Sequence, residues 1–301
     1  MYYAEPVYRP PSEHASLLIQ ATVGCSAAAA GRCHFCNSNI FHSRYPEKKF
    51  RIRPVPDIVE DIKNAKTLYG QRVEKVFLLD SNAMIMKTAD LLTILKACYD
   101  SFPQLRQVSC YACSSDILNK SPSELELLYR AGLNLVYLGL ESGAPEVLVL
   151  MNKGAKVDKQ VEAVLKAKSA GIRTSVSVIL GLGGRKYSLK HSKLTGEALS
   201  MMAPTYAAAL TLMVVPGTVL DRMIQEGGFD PVDEPAELLN EARVMIDTIN
   251  VNEPVVFRAN HASNYFAVAG TLPHEKKRML QSIETAIEKS SLLRPENSRR
   301  L

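Results

Sequence analysis

Six short apolar runs recur along the chain, each followed by a stretch in which apolar residues return every three or four positions. The runs begin at Leu17, Lys75, Leu105, Leu133, Ile172 and Tyr206. They are rich in Leu, Val and Ile and apolar on both faces, the pattern of strands covered on both sides in a parallel sheet. After a first interval of 58 residues they follow one another at 28 to 39 residues, the length of a strand plus its crossover helix. The segments between them carry helix punctuation. Pro54 and Pro56 open an amphipathic stretch that stops at Gly70. Ser121-Pro122-Ser123-Glu124 supplies an N-cap, a first-turn proline and a capping-box acid for a helix running to Ala131-Gly132. Val157 to Ala170 ends at Gly171. Repeated βα units with right-handed crossovers give a doubly wound sheet or a barrel. Six units fall short of the eight of a closed barrel, so the predicted fold is α/β, a partial (β/α)6 TIM-like barrel.

After Pro216-Gly217-Thr218 the pattern weakens. A Pro/Gly/Asp-rich link, Gly227 to Pro235, leads to a helix over Ala236 to Ile249, a strand-like Val255 to Ala259 and a last helix near His274 to Lys289. The expected organisation is an N-terminal segment over 1–16, the barrel over 17–220, and a C-terminal α/β extension packed on the barrel over 221–301.

The bulk properties narrow the function. The chain has 301 residues, 47% hydrophobic and 22% charged, with a formal charge of +5. That charge permits an anionic ligand, but it lacks the dense basic stripe of a nucleic-acid binder. No apolar run approaches a membrane span, and the first residues lack the basic start and apolar core of a signal peptide. A cytoplasmic setting with reduced thiols and a small-molecule substrate is expected. There, clustered cysteines read as metal ligands or redox groups. Lys48, Lys49, Arg51 and Arg53 form a basic cluster that reads as a solvated face or as a meeting place for an acidic electron donor.

The long first interval holds three of the six cysteines: Cys25, Cys33 and Cys36. Loops after the C-terminal ends of barrel strands build active sites, so these thiols lie where chemistry is expected. Three thiolates can hold three irons of a 4Fe-4S cluster and leave the fourth iron open. Three protein ligands with one open position are the general signature of a catalytic metal centre. The alternative is a zinc site that adds His34, although His34 lies between the paired cysteines.

The spacing resembles the C-x3-C-x2-C loop of the radical S-adenosylmethionine (SAM) superfamily, with Phe35 as the aromatic before the last cysteine. Here the loop is expanded to C-x7-C-x2-C, an insertion that costs roughly 0.6 kcal/mol per doubling of length. The resemblance extends through roughly Leu17 to Leu220. Asp80-Ser81-Asn82 stands where members offer polar groups to the methionyl amine of SAM; a strand-ending turn is the alternative reading. Gly139-Leu140-Glu141-Ser142-Gly143 resembles the superfamily's GxESG element, which implies that Glu141 and Ser142 meet the ribose or methionyl part of the cofactor. Gly181-Leu182-Gly183 ends the fifth strand, where backbone would approach adenine.

The resemblance implies a poorly characterised subgroup of oxygen-sensitive enzymes. A 4Fe-4S cluster and S-adenosyl-L-methionine are then cofactors. A flavodoxin- or ferredoxin-like donor supplies the electron that cleaves SAM to methionine and a 5′-deoxyadenosyl radical, which takes hydrogen from substrate. On the substrate side the expected residues are His261, Arg258 and Cys113. His261 lies in a His-Ala-Ser-Asn-Tyr segment that resembles one in a radical SAM group labelled by similarity to oxygen-independent coproporphyrinogen oxidases; a hydrogen-bonded cap is the alternative. Cys98, Cys110 and Cys113 read as buried cysteines or as a second cluster. Two other functional classes stay open: a zinc or iron–sulfur module for interaction or electron transfer, and an RNA- or peptide-modifying radical SAM enzyme.

Overall fold

The computed structural model describes residues 1–4, 7–45, 47 and 49–300. Lys48 of the basic cluster lies outside them. The chain divides into two compact units. The first comprises Met1–Arg32, Asn37–Leu138 and Ala163–Thr174; the second comprises Cys33–Cys36, Gly139–Glu162 and Ser175–Leu301.

In the first unit the opening apolar run splits into β1 (Leu17–Gln20) and β2 (Thr22–Val23), followed by the short helices α1 (Ser26–Ala29) and α2 (Ser38–Arg44). β3 (Arg51–Ile52) pairs antiparallel with β2. Then come α3 (Val55–Tyr69), β4 (Lys75–Leu79), α4 (Thr88–Ser101), β5 (Gln107–Tyr111), α5 (Ser114–Leu118), α6 (Pro122–Arg130) and β6 (Leu133–Glu141). β1, β4, β5 and β6 lie side by side in that order, all parallel. The capping box read at Ser121 is present: Ser121 Oγ accepts the Glu124 N–H, and Glu124 Oε2 accepts the Ser121 N–H.

Both faces of these strands are covered, which explains their unbroken apolar composition. Ile58, Ile62, Leu91, Ile94 and Leu125 of the helices are buried. Phe77, Tyr111 and Tyr137 meet edge to face, with centroids 5.1 to 6.0 Å apart. Beside them sits Glu13, 1% exposed. Its carboxylate accepts hydrogen bonds from Gln107, Ser109, Tyr137 and Ser16, so the buried charge is compensated. Arg53 differs from its neighbours in the basic cluster. It is buried, bonds Asp61 Oδ2 at 2.8 Å and the Gln20 carbonyl at 2.6 Å, and so braces the fold rather than a docking face.

α7 (Pro145–Leu150) lies in the second unit, and β6, α8 (Val157–Ser169) and β7 (Arg173–Leu180) each cross a division between the two. The second unit continues with α9 (Gly184–Met202), β8 (Tyr206–Thr211), α10 (Val219–Gln225), α11 (Pro235–Thr248), β9 (Val255–Ala259), β10 (Val268–Leu272) and α12 (Lys276–Glu288). β8 pairs in parallel with both β7 and β9, and β10 turns back antiparallel on β9. The C-terminal segment therefore continues the strand series instead of only covering it. Gly196 lets α9 and α11 meet: a Cβ there would lie 2.7 Å from the Met245 carbonyl. Among the described residues no helix is long and apolar enough to cross a membrane.

Candidate active site

In the first unit, β2 runs into Gly24, which takes a left-handed φ of +67°. Cys25 follows as the residue that caps α1, half-buried. Side chains from the segment that follows β4 hold this turn. Asp80 Oδ2 accepts the Gly24 N–H at 3.2 Å, and the Thr22 hydroxyl accepts the Asp80 N–H at 3.2 Å. Asn82 is fully buried. Its Oδ1 faces the Ser26 N–H at 3.5 Å, while its amide donates to Ser26 Oγ at 2.9 Å and to Asp116 Oδ2 at 3.3 Å. Asp116 also accepts the Cys113 N–H at 2.8 Å. Burial pushes the Asp116 carboxyl up, opposed by those two hydrogen bonds and by the Lys120 charge. The predicted Asp80-Ser81-Asn82 segment thus meets the start of the cysteine loop, with Ser81 donating to Asp80 at 3.2 Å. Asp116 was missed, although its place three residues after Cys113 is a capping-box signal.

In the second unit, Cys33 adopts φ +63°, uncommon for a residue with a side chain. Main-chain groups fix this turn. The N–H groups of Cys33 and His34 donate to the carbonyls of Asn152 and Met151 at 3.0 and 2.9 Å, and Cys36 N–H returns to the Cys33 carbonyl at 2.9 Å. His34 Nδ1 lies 3.1 Å from the Leu150 carbonyl; a carbonyl only accepts, so Nδ1 carries the proton. Phe35 packs against an apolar cluster that includes Val147, Met151, Leu182 and Leu220.

β6 ends in this unit on Glu141, also left-handed at φ +64°. Glu141 Oε1 pairs with Lys153 Nζ at 2.8 Å, both ends mostly buried. Gly139 makes room for the pair: a Cβ there would fall 1.9 Å from Glu141 Oε1. Ser142 and Gly143 turn inward. Ser142 Oγ accepts the Ala144 N–H at 3.0 Å and lies 2.8 Å from His191 Nδ1, and the Gly143 N–H donates to Thr195 Oγ1 at 2.8 Å. Gly181 has φ +81° and donates its N–H to Glu241 Oε2 at 2.6 Å. Leu182 is buried and Gly183 caps α9. Burial pushes Glu241 up to about 7 and His191 down to about 4.

The substrate-side candidates divide. Cys113 is half-buried at the cap of α5 in the first unit, whereas Cys98 and Cys110 are fully buried and their thiols are pushed up to about 12 by burial. In the second unit Arg258 is exposed, with its guanidinium 5.7 Å from the Tyr206 ring. His261 is half-buried, and Nδ1 accepts the Ser263 N–H at 3.1 Å, which leaves the neutral ring's proton on Nε2. Ser263 and Asn264 bond to Thr211 at the end of β8, and Arg294 and Arg299 clamp the same segment through its carbonyls. The segment is a tightly hydrogen-bonded cap that presents one imidazole edge.

None of the six cysteines forms a disulfide. Among the described residues no three His, Cys, Asp or Glu side chains are gathered closely enough to hold a metal ion. Thiols are the donors that iron–sulfur clusters take, and Cys25, Cys33 and Cys36 are each half-buried, on turns bent by Gly24, Gly31 and Cys33.

A profile of the Radical SAM superfamily matches residues 19–191, more than half of the chain. The chain belongs to this superfamily and is an enzyme of the radical SAM class. In sequence it is similar to a putative methylthiotransferase of Methanocaldococcus jannaschii, 26% identical over 175 residues, covering 55% of this chain and 35% of that protein. An uncharacterised protein of the same organism is 31% identical over 97 residues, covering 32% and 30%. The chain thus spans about a third of the length of these curated relatives. In structure it is similar to methylornithine synthase, with TM-score 0.53 and 17% identity over 78% of this chain and 63% of that one. Coproporphyrinogen III oxidase of Escherichia coli gives TM-score 0.50 and 15% identity over 92% and 70%. These likenesses show the fold, the α/β partial TIM barrel read from the strand periodicity.

Proposed function

We propose that Cys25, Cys33 and Cys36 hold a 4Fe-4S cluster and that the enzyme acts on a small-molecule substrate through reductive cleavage of S-adenosyl-L-methionine. When bound and reduced, the cluster supplies the electron that converts SAM to methionine and a 5′-deoxyadenosyl radical. The chain's own residues bind, orient and exclude water. Asp80 and Asn82 fix the backbone on either side of Cys25, while Glu141, Ser142 and Gly181-Leu182-Gly183 offer acid, hydroxyl and bare backbone to the cofactor. Arg258 supplies an exposed guanidinium for a substrate carboxylate or phosphate. His261 holds a proton at Nε2 beside it in sequence, and Cys113 stands at a strand end as a thiol hydrogen donor. A reduced flavodoxin- or ferredoxin-like protein delivers the electron, and Lys49 and Arg51, both exposed, are the cations of the cluster left to meet it.

One observation carries this reading. Both ends of the cysteine loop are fixed by hydrogen bonds to its backbone: Gly24 and Ser26 by Asp80 and Asn82, and Cys33 and His34 by Asn152 and Met151. Such bracing matches a loop whose thiols must be presented at fixed angles. The test is anaerobic reconstitution with iron and sulfide, then dithionite and SAM. Deoxyadenosine and methionine are expected from the wild type. A colourless protein that retains zinc and makes neither supports the interaction-module class instead.

A further inference from the structure

Behind the strand ends of the second unit lies a polar cluster of which the reaction as proposed uses only Ser142. Ser142 follows β6, His191 is in α9 and Glu241 is in α11. Their exposures are 0%, 0% and 2%. Hydrogen bonds hold the histidine ring in place. Ser142 Oγ accepts the Ala144 N–H and Thr195 Oγ1 accepts the Gly143 N–H. Each hydroxyl is then free to turn its proton to His191 Nδ1, at 2.8 and 3.4 Å. The ring also donates to the Ile179 main chain, and its Nε2 edge lies 4.0 Å from Glu241 Oε2. Glu241 Oε2 accepts the Gly181 N–H at 2.6 Å, and the Ser188 hydroxyl bonds the same carboxylate. Glu241 Oε1 lacks a hydrogen-bond partner among the described residues, and His191 Nε2 has no side-chain partner closer than Glu241 Oε2. Buried polar atoms normally have one, because leaving them bare is costly. The network touches two strand ends at once, one through Ser142 and Gly143, the other through Gly181. No other described side chain bonds the Gly181 N–H.

We propose that His191 and Glu241 are positioning residues that lock the β6 and β7 ends in the geometry that receives SAM, and that the proton on Glu241 weakens that lock. The inference rests on the cofactor reading above. An ionised carboxylate holds the Gly181 N–H by a charge-assisted bond, about twice as strong as a neutral one. Glu241 is pushed up to about 7, first by burial and also by Glu237 one turn earlier on the same helix. Arg185 already engages Glu237, Asp233 and Asp230, and the β6 and β7 ends reach the pair through the Ser142 hydroxyl and the Gly181 N–H. His191, held near 4 by burial, stays neutral throughout the range in which Glu241 titrates.

Two slopes of stability against pH follow. Glu241 is raised from 4.5, so its stabilisation is complete below 4.5 and is lost as pH rises through about 7. His191 is lowered from 6.5, so its stabilisation is complete above 6.5 and is lost as pH falls through about 4. Between 4.5 and 6.5 the slopes oppose each other. Glu241→Gln removes one of them, and stability then climbs with pH across that window.

The deciding experiment measures SAM dissociation constants by equilibrium dialysis on the cluster-loaded full chain between about pH 6 and pH 8, a range spanning the Glu241 midpoint. The SAM amine itself titrates near 8, so the comparison between proteins decides. Wild type is expected to tighten about fivefold more than Glu241→Gln over this range. His191→Asn keeps a polar group toward Ser142 but removes the imidazole edge 4.0 Å from Glu241 Oε2, and should shift the wild-type midpoint upward. Identical pH profiles for wild type and Glu241→Gln overturn the inference while leaving the cofactor reading intact. Absence of SAM binding at every pH, with the cluster present, overturns both.

Discussion

The two ends of the cysteine loop are built by different means. At Cys25 the bracing comes from side chains: Asp80 and Asn82 reach the N–H groups of Gly24 and Ser26, and Asp116 steadies Asn82 from α5. At Cys33 and Cys36 it comes from the main chain, through the carbonyls of Asn152 and Met151 just beyond α7. A side-chain brace is lost with one substitution, whereas a carbonyl brace survives a change of side chain so long as the backbone keeps its path. The first end is thus sensitive to residue identity and the second to backbone conformation, as the left-handed Cys33 already shows.

The largest expected effect lies on the thiols themselves. Cys36→Ala should lose the cluster and all SAM cleavage, read as iron content and deoxyadenosine yield. Cys98→Ala should keep both and cost roughly 1–2 kcal/mol of folding stability, as expected for a small buried group. Equal loss of iron from both variants would erase the distinction between loop and core cysteines. Next comes the brace. Asn82→Ala leaves buried partners of a fully buried amide unsatisfied and should cost about 2–3 kcal/mol in urea unfolding, with reduced iron uptake. Met151→Leu keeps its carbonyl and nearly its volume, so it should cost below about 1.5 kcal/mol and leave iron uptake unchanged. Similar losses in both would contradict the contrast between the two ends. Smallest in stability is Glu141→Gln, which keeps the shape beside Lys153 and the cluster ligands. It should weaken SAM binding at full iron content; unchanged affinity removes Glu141 from the cofactor site.

Much of the fold was legible because parallel strands announce themselves. Lys75 to Leu79 is a strand throughout, and the runs at Leu133 and Tyr206 begin where β6 and β8 begin. β10 was not legible: Gly270 interrupts the apolar pattern, and the strand's neighbour β9 defines it only after folding. The site was partly legible. Residues adjacent in the chain, such as Cys33 and Cys36 or Glu141 and Ser142, show their pattern directly. Partners brought from afar do not. His191 and Glu241 look like ordinary helix residues in sequence, and only the packing of α9 and α11 behind Ser142 and Gly181 makes them a network. Lys153 is intermediate, since nothing in its position announces that it will neutralise Glu141.

The central claim is that three loop thiols hold a cluster with one iron left for the cofactor. The most direct measurement is electron–nuclear double resonance on the reduced, reconstituted wild-type protein, with SAM labelled at its amine nitrogen and carboxylate oxygens. The account predicts hyperfine coupling from both labels, lost in Cys25→Ala, Cys33→Ala and Cys36→Ala and retained in Cys98→Ala. A reduced cluster that shows no coupling to either label would mean that every iron is already claimed by the protein, and would contradict it.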